Sequence, residues 1–150
     1  MALVRYIGAD PKRFAELMSI FFEGEYRLTQ RAAWPMNYCA ERTPELIYPY
    51  LDKLLDQLER DDVHDAVKRN VVRLLQFVEI PPRLKGRVYS TCFDLIDDPD
   101  EPVAVRVFSI SVAAKIARSE TSLMSELKLL VRKHLDHSSV AFHKRAREVL

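Results

Sequence analysis

Glycine is scarce in this chain: three in 150 residues leave few positions for tight hairpin turns and speak against a strand-rich architecture. Cysteine is scarcer still. Cys39 and Cys92 lie among apolar or aromatic neighbours, without C-x-x-C spacing and without a secretory hydrophobic segment near the N-terminus. They read as reduced core residues of a cytoplasmic protein. No apolar run approaches the roughly 18 residues that cross a bilayer, so no membrane association is expected. Bulk charge of one sign is also missing: 23 Lys and Arg stand against 22 Asp and Glu, a net charge of +1. That balance argues neither for a nucleic-acid tail nor for an acidic solvating segment. A Gly-rich phosphate loop, a nucleophilic hydrolase motif and a Cys paired with a nearby His are all lacking.

What remains is 48% apolar residues, enough for one domain spanning 1–150 with a substantial core. The eight prolines fall mostly between periodic segments, which is the punctuation of helices. Asp10-Pro11 opens a helix whose Phe14, Leu17, Met18, Phe21 and Phe22 follow i, i+3, i+4, i+7, i+8. A second helix is expected from about 25 to 42. Thr43-Pro44-Glu45 starts a third, running to about 59, and Asp61-Asp62 caps a fourth, to about 79. Pro81-Pro82 starts the fifth, to about 96, and the acids of 97–101 precede the sixth, about 102 to 118. Ser119 to Ser122 begins the seventh, and Ser138-Ser139 caps the eighth. The sixth carries Val, Ile, Phe and Ala nearly all round, so it must be buried on several sides.

One arginine recurs through this pattern, at Arg31, Arg69, Arg106 and Arg145. Around it lie similar stretches, TQRAAWPMNYCA, VKRNVVRLLQFV, AVRVFSISVAAKI and HKRAREVL. Self-similarity at such a period marks stacked helix pairs. With its two-helix units and the segment DPDEPVAVRVFSISVAAKI, the chain resembles the HEAT-repeat family, in particular short bacterial HEAT-like proteins, over about 10 to 150. The acid six residues before the Arg is present as Glu25 and Asp100 but replaced by Val63 and Ser139, so the sequence does not carry a continuous acid–Arg ladder. The resemblance implies an all-α, right-handed superhelical solenoid of about four antiparallel helix pairs (10–42, 44–79, 82–118, 120–150), with the second helices lining an inner surface.

Charge is sorted onto those second helices. The spans 25–42, 63–79, 102–118 and 139–150 hold twelve Lys and Arg against five Asp and Glu, and the rest of the chain eleven against seventeen. Carrying the repeat register onto each helix places Arg27, Arg31, Trp34 and Tyr38 farthest from the apolar stripe in the first repeat, and Asp65, Arg69, Val72 and Gln76 in the second. Arg106, Ser109 and Ala113 follow in the third, Arg145 and Glu148 in the fourth. Guanidinium groups suit carboxylate and phosphate partners, and Trp34 with Tyr38 adds flat surface for stacking or anchoring, so an inner basic groove for an anionic partner is expected. Against this stands a structural role, in which each Arg bonds carbonyls or acids of neighbouring repeats. Trp34 could equally pack beneath the first helix, and Pro35 should kink its helix by removing a main-chain donor.

Three catalytic readings are set beside the binding one. DNA glycosylases built on HEAT-like repeats use a basic face, aromatics and an acid, which Arg31, Trp34, Tyr38 and Asp65 loosely echo. A net charge of +1 opposes non-specific DNA affinity, however. HEAT-type metal hydroxylases carry His-Glu dyads, and none of His64, His134, His137 and His143 precedes Glu. His134 and His137 share a helix face but also sit at a helix C-terminus, which favours imidazole protons without a metal. Helical lyases of the fumarase and aspartase superfamily need a flexible Ser- and Gly-rich loop, absent here. The expected function is therefore a non-catalytic binding or scaffold module without cofactor or metal, recognising an acidic peptide or protein through Arg27, Arg31, Trp34, Tyr38, Arg69 and Arg106. Glycosylase-type nucleic-acid processing is the alternative, and self-association through the last helix, which ends in Val149-Leu150, stays open.

Overall fold

The computed structural model describes all residues, Met1–Leu150, and is entirely helical. Its packing gathers into two compact units, Met1–Glu79 and Ile80–Leu150. No helix is long and apolar enough to cross a membrane.

The first unit opens with a helix the sequence reading did not anticipate, α1 (Ala2–Ile7), which buries Val4 and Ile7 and packs on the two helices that follow. It ends at Gly8, whose φ of 51° is strained for any residue with a Cβ. In α2 (Pro11–Glu23) the Asp10 side chain accepts from the Lys12 N–H at 2.9 Å, and Pro11 occupies the first turn, where its missing donor is not needed. Phe14, Leu17, Met18 and Phe21 form the buried stripe, as their spacing predicts. At Gly24 a Cβ would lie 2.5 Å from the Ile20 carbonyl oxygen, so only glycine turns this corner into α3 (Tyr26–Arg42). This helix continues through a buried Pro35 and packs against α2 and α1.

Two expected helix starts are corrected. Thr43-Pro44-Glu45 does not open an α-helix, because the chain forms 3₁₀ turns at Pro44–Leu46 and Tyr48–Tyr50 before α4 (Leu51–Glu59) begins. Pro49 is the cause: it lacks the N–H that an α-helix would direct at Glu45. Nor do Asp61 and Asp62 cap the next helix. Asp62 is paired with Arg60, whose Nε and Nη2 donate at 2.9 and 2.7 Å, and the cap of α5 (Asp65–Leu75) is His64, whose Nδ1 accepts from the Ala66 N–H at 3.1 Å. The helix also stops at Leu75, before the expected end near 79.

In the second unit, α6 (Pro82–Asp97) starts on Pro82 as expected, and α7 (Val103–Ala117) packs against it. The remaining helices are α8 (Thr121–His134) and α9 (Val140–Ala146). Both also pack on α7, so that Val105 through Val107, Ser109, Ile110, Val112 through Ala114, Ile116 and Ala117 are all buried. A helix apolar nearly all round is thus covered on most sides. The same fact overturns the repeat register for this helix, since Ser109 and Ala113, placed on its open side, are fully covered. Ser109 turns its hydroxyl back to the Val105 carbonyl at 2.7 Å. Ser139 caps α9 as expected, accepting from the Phe142 N–H. Ser119 does not start α8 but donates to Ile116 O at the end of α7.

A candidate anion-binding face on the first unit

On α3, the core takes Ala32, Ala33, Met36, Cys39 and Ala40. Arg27, Arg31, Trp34 and Tyr38, spaced 4, 3 and 4 apart, share the opposite face. Arg27 and Arg31 are exposed, and neither guanidinium has a bonded partner. Trp34 is 51% exposed, which settles its placement: it does not pack under α2. Its ring is tilted 32° to that of half-buried Tyr38 at a centroid distance of 5.4 Å, and the Arg42 guanidinium lies 5.4 Å from the Tyr38 ring. The result is a flat aromatic pair bordered by cations.

Side by side with α3 runs α5, held there by a polar tie. Asn37, 1% exposed, donates from Nδ2 to Ala33 O at 3.0 Å and to Asn70 O across the helix boundary at 3.4 Å. Its Oδ1 accepts from Arg73 Nη1 at 3.2 Å, so every polar atom of a buried amide is used. Nearer the helix starts, the Tyr26 and His64 rings meet at 4.0 Å. Arg69 stands exposed and unbonded one turn before Arg73, whose guanidinium also covers the Phe77 ring at 5.7 Å. Together α3 and α5 hold six Lys and Arg against two Asp and Glu. Val72, expected on the open side of α5, is buried.

Arg73 and Asn37 are the residues that sequence reasoning missed. Arg73 was signalled by its place one turn beyond Arg69, on the same face. Asn37 had a fainter signal, an amide between Trp34 and Tyr38 in an otherwise apolar turn.

The arginine row divides between the units. In the second unit Arg106 is only 7% exposed and donates from Nε and Nη2 to Ile96 O at 2.9 and 2.7 Å, with Phe142 beneath it at 4.8 Å. Burial pushes its pKa down. Arg106 is therefore corrected from a ligand contact to a clamp between α6 and α7. Arg145 is half-buried, donating from Nη1 to Ser111 Oγ at 2.7 Å and pairing with Glu148 at 3.5 Å. His134 turns to Asp97, Nε2 to Oδ1 at 2.9 Å, beside Lys133 on the same carboxylate. Those two neighbours hold the Asp97 pKa below the usual carboxylate range. Both cysteines are unpaired and buried, and burial pushes the Cys92 thiol up to about 12.

An α3–α5 face of this kind can offer unpaired guanidinium donors to carboxylates and an aromatic surface to an aromatic or proline ring. Comparison with known proteins finds no matching curated protein and no matching solved structure. The family model described as HEAT repeat domain matches residues 1–150, taking in α1 as well as the helix pairs. With its succession of helix pairs, the chain is an α-solenoid and belongs to the HEAT repeat domain family, which at the coarse level gives it the role of a protein-interaction scaffold.

Proposed function

We propose that this protein is a non-catalytic binding module whose α3–α5 face recognises an acidic peptide or protein segment. Three guanidinium groups, those of Arg27, Arg31 and Arg69, lie unbonded on the face that exposes the Trp34–Tyr38 pair, and that observation carries the reading. The arginines supply charge and the aromatic pair an anchor, while Arg73, tied to Asn37, positions the two helices. Arg106 has no part in it. Two unpaired, buried thiols support a reducing, cytoplasmic setting.

Trp34 is the chain's single tryptophan, so its emission reports directly on the face. Titration with an acidic peptide should shift that emission, and the affinity should fall as salt is added. Arg31→Ala and Arg69→Ala should each weaken binding with no change in melting temperature, and Trp34→Ala, followed by calorimetry, should cost about 1–2 kcal/mol of binding energy. Binding that is indifferent to salt and to both arginines would overturn the proposal. Saturable micromolar binding of duplex DNA at physiological salt would replace it with a nucleic-acid role.

A further inference from the structure

The chain carries a segment with the chemistry that this face selects. Residues 94–105 hold five acids, Asp94, Asp97, Asp98, Asp100 and Glu101, and no Lys or Arg, with Asp97 already paired to Lys133 and His134. Asp98, Pro99 and Asp100 are exposed in the break between α6 and α7. The Asp98 Oδ1 accepts from the Asp100 N–H at 2.9 Å, so the turn is already shaped. Pro99 adds a ring that can lie on an aromatic surface, and its fixed φ reduces the entropy lost on docking. The other acidic places differ. Asp62 is paired with Arg60 two residues away, and Asp52 and Asp56 alternate with Lys53.

Resting on the binding reading above, we propose that the partner is a second copy of this chain, with its Asp98–Pro99–Asp100 turn seated on the Arg27, Arg31, Arg69 and Trp34 face. The face and the turn are different surfaces, so each copy brings one of each to the assembly. Sorted charge makes this possible at a net charge of only +1, which does not hold copies apart. Exposed ion pairs are individually weak, so assembly appears at high protein concentration and disappears with salt.

The test uses the whole chain in sedimentation velocity. The weight-average mass should rise with concentration from the 17.4 kDa of one chain to about twice that or more, and return to one chain at high salt. Two variants separate the surfaces: Arg31→Glu with Arg69→Glu alters the face, where neither guanidinium has a partner to lose. Asp98→Asn with Asp100→Asn alters the turn and keeps its acceptor oxygen. Each variant alone should stay a single chain, with an unchanged thermal melt. Mixed, they should form one-to-one pairs, because one intact face then meets one intact turn. Self-association by either variant alone, or no pairing in the mixture, overturns the proposal. If the chain stays single at every concentration while an unrelated acidic peptide still binds in an Arg31-dependent way, the self-contact fails and the binding reading survives; if neither binds, both fail.

Discussion

Arg31 and Arg106 hold equivalent places in their repeats and should answer mutation in opposite ways. Arg106→Ala leaves the Ile96 carbonyl without both of its donors and uncovers Phe142, so urea denaturation should show a loss of about 2–3 kcal/mol. Arg31→Ala removes an exposed side chain with no bonded partner and should stay within about 0.5 kcal/mol of wild type. A pH signature belongs to Asp97. Its pKa is lower folded than unfolded, so its stabilisation is present above the unfolded carboxylate value and is lost as pH falls through the folded one. Asp97→Asn should therefore lower stability at neutral and alkaline pH and flatten the acid limb of a stability-versus-pH curve, the two proteins converging at low pH. The thiols give a third reading: Cys92, at about 12, stays protonated at neutral pH and, like Cys39, is covered. Neither should react with a disulfide reagent until the chain unfolds.

At the scale of the element, two glycines make a contrasting pair. Gly86 lies within α6 with nothing inside 4 Å of a built Cβ, and alanine there should raise stability by about 0.5–1 kcal/mol. Gly24 has ordinary φ, but its Cβ would strike the Ile20 carbonyl, so Gly24→Ala should lower the thermal midpoint, by about 1–3 kcal/mol in free energy. Helices whose ends are marked by Pro or Ser, such as α2, α6 and α9, were legible from sequence, because those signals act within one turn of chain. The start of α4 was misread since Pro44 resembles a helix opening, while Pro49, five residues later, removes a main-chain donor that its second turn would need. The cap of α5 was misread for a different reason. Asp61-Asp62 has the stronger capping preference, but Arg60 engages Asp62, and His64 takes the role.

For the molecule as a whole, periodicity carried the fold: the recurring arginine and the helical punctuation predict helix pairs, which the structure and the HEAT repeat family both bear out. Periodicity could not tell which equivalents stay open. That depends on how many helices cover each one, and α7, packed by three, closes over the position that α3 leaves in solvent. A corresponding contrast should appear in function. Arg145→Ala should reduce stability by breaking its bond to Ser111 yet leave the affinity for an acidic peptide unchanged, as calorimetry can check.

The Arg106 clamp also bears on any attempt to build an array from this chain. Averaging its repeats into one consensus would keep arginine at all four places and conceal that it stands open in two and bonded in the other two. Copies of the first repeat would multiply solvent-facing guanidinium groups without rivets, whereas copies of the third would multiply rivets and leave no guanidinium open to solvent.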